Sequence, residues 1–114
     1  MRRALPILLL AVTCAGPAFA QEPGNARRGE AYAREACGAC HEVAPDAPAP
    51  RYSTAPSFAT ISRIPGMTSM AINAWFASSH PTMPNYVIPE ADRDDLLAYF
   101  DTLRAANKPD AHPH

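Results

Sequence analysis

Cysteines stand at positions 37 and 40, two residues separate them, and a histidine follows directly in Cys37-Gly38-Ala39-Cys40-His41. Thiols are nucleophiles and soft ligands, and imidazole is the commonest side-chain metal ligand near neutral pH. At this spacing each thiol can add across one vinyl group of a haem. The two-residue gap matches the separation of the two vinyls when the segment forms one helical turn and a bend. The histidine then lies beneath the iron and can bind it through a ring nitrogen. Four other readings compete: a thioredoxin-like dithiol, half of a zinc site, a structural disulfide and chance. A dithiol normally follows a strand in a βαβ unit, and nothing upstream reads as a strand. A zinc site needs a second ligand pair, but no cysteine follows Cys40. Nor is there a His-x₃₋₅-His pair in an ordered stretch. The adjacent histidine is the residue that favours covalent haem attachment.

With His41 on one side of the iron, the group on the other side decides what the centre can do. Met67, Met70, Met83 and His80 are the candidates, while His112 and His114 sit in the tail. Met67 and Met70 fall at a turn and on a helix face, where core packing is the natural role of methionine. Met83 sits in a loop between Pro81 and Pro84, where a polar residue would be expected. The flanking prolines restrict the backbone and would hold a sulfur in place at little ordering cost. Met83 is therefore the expected second axial ligand. His80 is its rival and would give a bis-histidine haem of lower potential.

These residues need a frame. Met1-Arg2-Arg3, the apolar run of residues 5–12 and Ala18-Phe19-Ala20 read as a secretory signal peptide over residues 1–20. The run is too short to span a bilayer, and Cys14 leaves with it. A domain over residues 21–106 and a flexible tail over 107–114 remain. Export and haem attachment agree, because an oxidising periplasm is where two exported thiols would otherwise pair. The whole chain carries 10 Lys+Arg against 11 Asp+Glu, and Lys108 is its one lysine. That balance argues against nucleic acid and against a broad lysine ring for docking. It fits a mildly acidic surface, no membrane insertion and a monomer.

Within the domain, Asn25 is a candidate N-cap for a helix over about residues 26–36. Gly29 lies inside it, where another backbone approaching closely would explain it. Residues 42–56 contain Pro45, Pro48, Pro50 and Pro56 and read as a loop wrapped over the haem. A short helix over residues 57–63 follows, with Phe58, Ile61 and Ile64 as a buried stripe, closed by a Pro65-Gly66 turn. Thr68 is a candidate N-cap for a helix over residues 69–78, where Met67, Met70, Ala71, Ala74 and Trp75 share a face. Residues 79–88 read as a second irregular loop. Pro89, Glu90 and Asp92 suit the start of a last helix whose apolar face is Leu96, Leu97, Tyr99, Phe100 and Leu103.

Taken together, these pieces resemble the small single-haem class I cytochromes c of bacteria over nearly all of the exported length. The resemblance rests on Gly29, the Cys37–His41 box, Pro56-Ser57-Phe58, His80-Pro81-Thr82-Met83-Pro84-Asn85 and Leu96-Leu97-Ala98-Tyr99-Phe100. It implies an all-α fold, about four short helices around one covalent haem c with its iron, the first and last helices crossing. It implies thioethers at Cys37 and Cys40, axial ligation by His41 and Met83, and a proline carbonyl on the axial histidine. Pro56 matches that proline best, although the long loop leaves Pro50 open. Ala33 stands where many relatives place an aromatic, with Tyr32 next to it. Trp75 either lines the haem or donates its indole N–H to a propionate.

An iron closed by His and Met has no open position for substrate, so the expected activity is shuttling single electrons between redox partner proteins in the periplasm, without catalysis. Two alternatives are a dedicated haem subunit of a periplasmic dehydrogenase complex, and a ligand-binding or catalytic haem protein if Met83 is not bound.

Overall fold

Asn25 begins the first helix by accepting the backbone N–H groups of Arg27 and Arg28 on its side-chain oxygen, at 3.0 and 3.1 Å. This satisfies two donors that a helix start leaves unpaired. In the computed structural model, which describes residues 23–51, 53–78, 82–83 and 85–107, four helices follow in order. They are α1 (Ala26–Ala36), α2 (Phe58–Arg63), α3 (Ser69–Phe76) and α4 (Glu90–Ala106). Ser57 caps α2 and Thr68 caps α3 through their hydroxyls. Gly66, at φ 80°, makes the turn between them in a backbone region that other residues avoid. There is no β-strand among the described residues, and no helix among them is long and apolar enough to cross a membrane. The expected signal segment, His80 with Pro81 and Pro84, and tail residues 108–114 lie outside the described residues.

α1 and α4 pack against each other and carry the fold. A Cβ on Gly29 would land on the Asp95 carbonyl of α4, and one on Gly24 would land on that of Asp94. The crossing is therefore as close as two backbones allow. Beside it the Asp95 carboxylate, buried, accepts the Asn25 backbone N–H at 2.6 Å. Both oxygens also take N–H groups from the Arg28 guanidinium, at 2.6 and 3.0 Å. Ala33, Leu96, Tyr99, Phe100 and Leu103 fill the seam, joined by Val43, Phe58 and Ile72. Full burial of side chains such as Leu96 and Phe100 contributes about 1.5–3 kcal/mol each. Small Ala33 is itself fully buried, and neighbouring Tyr32 packs against the edge of this core.

Two expected faces differ from the structure. On α2, Ile64 is 44% exposed while Ser62 is buried. The helix ends at Arg63, so Ile64 has extended geometry and leaves the stripe. Asn107, the C-cap of α4, donates to the Ser62 hydroxyl at 3.0 Å and to the Leu103 carbonyl at 2.7 Å. On α3, the side turned to α4 is Ile72 and Phe76, whereas Met70 is 82% exposed and Trp75 51% exposed. The helix is apolar on two sides, so periodicity does not say which one meets protein. It also stops at Phe76, two residues before the expected end, where Ala77 caps it and the Ser78 hydroxyl bonds the Ala74 carbonyl.

Candidate haem site

The Cys37–His41 box continues the end of α1 by one turn. The Cys37 N–H bonds the Ala33 carbonyl at 2.9 Å, and the Cys37 carbonyl accepts the N–H groups of both Cys40 and His41. Cys37 and Cys40 are free thiols, the first half-buried against the core and the second exposed. Burial, with a smaller push from Cys40, raises the Cys37 pKa to about 11. Such a thiol stays protonated at neutral pH. A dithiol oxidoreductase depends on the opposite, a cysteine with depressed pKa.

His41 is held by its surroundings. Its Nδ1 lies 2.7 Å from the Pro56 carbonyl oxygen. A carbonyl only accepts, so Nδ1 carries the hydrogen and the lone pair is left on Nε2. That tautomer leaves Nε2 able to bind a metal, and the bond makes the ring a stronger donor. The imidazole also meets the Phe58 ring, with centroids 5.5 Å apart and planes at 58°. Phe58 stacks on Phe100 of α4 at 4.6 Å. Its backbone N–H bonds the Glu42 carbonyl at 2.9 Å, tying the segment after Pro56 to the residue after His41. At the next position the Val43 carbonyl accepts the Tyr99 hydroxyl at 2.8 Å. Further along the loop, the Arg34 guanidinium joins Asp46 to Glu30 of α1.

The structure thus gathers Cys37, Cys40, His41 and Pro56 at one end of α1. Met83 is half-buried in the connection from α3 to α4, and Trp75 is on α3. Among the described residues no three His, Cys, Asp or Glu side chains gather to hold a metal ion by themselves. The residues present fit a covalently held haem. Two unpaired thiols have the required spacing, an imidazole is set to offer Nε2, and α3 has a second apolar face carrying Met70 and Trp75. Sequence reasoning missed the Tyr99 hydroxyl and the buried Asp95 carboxylate. The available signal was a tyrosine in an otherwise apolar stripe, since a buried phenol needs a hydrogen-bond partner.

No protein-family model matches the chain. No solved structure matches it either. A curated protein, Cytochrome c-552 of Bradyrhizobium diazoefficiens, is 28% identical over 102 residues, covering 90% of this chain and 94% of that protein. The likeness supports a bacterial c-type cytochrome with covalently bound haem c and its iron, and a role in electron transfer. The four helices are consistent with an all-α cytochrome c fold.

Proposed function

We propose that the chain is a periplasmic carrier of single electrons, its haem c joined to Cys37 and Cys40 and ligated by His41 and Met83. The observation that carries this reading is the Nδ1–H bond from His41 to the Pro56 carbonyl at 2.7 Å. When bound, the haem supplies a one-electron ferric–ferrous couple. Cys37 and Cys40, both free thiols, would hold it as thioethers. His41 offers Nε2 while Pro56 fixes the ring and strengthens the donor. Met83 supplies a thioether, a ligand that favours the ferrous state and raises the potential. Met70 and Trp75 provide apolar surface on α3 for the haem to cover. Export through residues 1–20 places the carrier where its donor and acceptor proteins meet it.

An optical spectrum of the purified protein and of Met83→Ala tests this. The expected result is a weak near-red band from sulfur to ferric iron in the unmodified protein, absent in the variant, with a lower midpoint potential. High-spin iron or ready carbon monoxide binding in the unmodified protein would overturn it. A partner that copurifies at fixed stoichiometry would make the chain an enzyme subunit and end the free-carrier reading.

A further inference from the structure

We propose that Tyr99 is a positioning residue for the axial histidine, its hydroxyl holding the Glu42–Val43 turn so that the His41 ring stays against the Pro56 carbonyl. This rests on His41 being the iron's ligand.

The bond between His41 Nδ1 and Pro56 joins two chain segments that no helix contains, 15 positions apart. Something must hold those segments at hydrogen-bonding distance. Two consecutive residues of α4 do so. Phe100 stacks on Phe58, two residues past Pro56, and so fixes the acceptor side. Tyr99 bonds the Val43 carbonyl, two residues past His41, and so fixes the donor side. Between them the Phe58 N–H meets the Glu42 carbonyl and closes the frame. Tyr99 and Val43 are both buried, and the bond spans 56 positions of sequence. A phenylalanine at 99 would fill nearly the same volume, so packing does not account for the oxygen. Without the hydroxyl the Val43 carbonyl is a buried acceptor that has lost its donor. Such a group turns its peptide plane to find another partner, and that plane lies two residues from His41. The Arg34–Asp46 ion pair also restrains the loop, but Asp46 is well exposed and such pairs contribute little.

Haem-loaded full-length protein, reduced so that it is diamagnetic and labelled with ¹⁵N-histidine, provides the test. The His41 Nδ1–H exchange rate and the midpoint potential are compared in the unmodified chain, Tyr99→Phe and Leu103→Ala. Leu103 shares the buried face of α4, so its truncation lowers stability without touching the turn. Tyr99→Phe is expected to speed Nδ1–H exchange about tenfold. It should also raise the potential, because a looser bond leaves a weaker ligand for ferric iron. Leu103→Ala should lower thermal stability and leave both readouts in place. If Tyr99→Phe moves only thermal stability, or Leu103→Ala moves the His41 signals equally, the inference is wrong. If the unmodified protein shows no haem-shifted His41 signal, the ligand assignment itself fails, a result distinct from either.

Discussion

At the scale of single residues, this structure uses acceptor oxygens to decide which proton sits where. The Pro56 carbonyl selects one tautomer of His41, and the Asp95 carboxylate is kept ionised by what it touches. The Arg28 guanidinium, and after it the Asn25 N–H, hold the Asp95 carboxyl below the usual carboxylate range. A carboxylate depressed in the folded state contributes stability that is complete above its unfolded pKa, about 3.9, and is lost as pH falls through the folded value. Acid melts of the haem-loaded protein should therefore be flat in this contribution from pH 7 to about 5 and fall below about 4. Asp95→Asn should be less stable at neutral pH and should lose less on acidification. Equal acid limbs in the two proteins would show that Asp95 is not the group responsible. The family resemblance pointed to the Pro56 carbonyl, but the Asp95 cluster was not legible in the sequence. Glu90 and Asp92 stood out because they lie in the first turn of α4, where acidic residues are expected. Asp95 looked like one more surface acid, since its partners lie about seventy positions upstream. For the Tyr99 hydroxyl the residue type was the one signal, because a bond to a distant backbone carbonyl leaves no spacing pattern.

At the scale of elements, the crossing of α1 and α4 was legible and one face of α3 was not. Gly29 in a helix otherwise built of good helix formers predicts close approach, and the Asp95 carbonyl occupies the space a side chain would need. Because both neighbours are backbone, neither can move aside by changing rotamer. Gly29→Ala gains helix propensity of about 1 kcal/mol and should nevertheless destabilise the loaded protein by about 1–3 kcal/mol, the usual cost of overpacking. A thermal melt reads the sign directly, and a rise in melting temperature would mean that the helices separate freely. For α3, by contrast, the apolar residues surround the helix. Met70 and Trp75 were as good candidates for the protein-facing side as Ile72 and Phe76. Periodicity identifies a face only when the opposite one is polar. The exposure of that stripe is thus informative, since a helix apolar on two sides has two surfaces to cover and α4 covers one.

At the scale of the whole molecule, the described domain has two unequal parts. α1 and α4 are joined by the Asp95 cluster, the glycine contacts and most of the core, and the box with His41 is tied into them through Tyr99 and Phe58. The part that follows α2 is held more lightly: α3 meets the core through Ile72 and Phe76, while Met70 and, at 91% exposure, Val87 carry apolar surface outward. Small domains bury limited cores, and a large apolar cofactor supplies surface on which such segments can pack. The two parts should then respond differently when the haem cannot be attached. A Cys37→Ser, Cys40→Ser chain followed by hydrogen exchange should lose most protection in α3 and in residues 85–88. The α1–α4 crossing, held by the glycine contacts and the Asp95 cluster, should keep a larger share. Local opening follows the density of buried contacts, so the ratio of the two losses measures how much of each segment's stability comes from the cofactor. Uniform loss across all four helices would mean that the terminal helices also depend on the haem, and that His41 is not positioned by protein before the iron arrives.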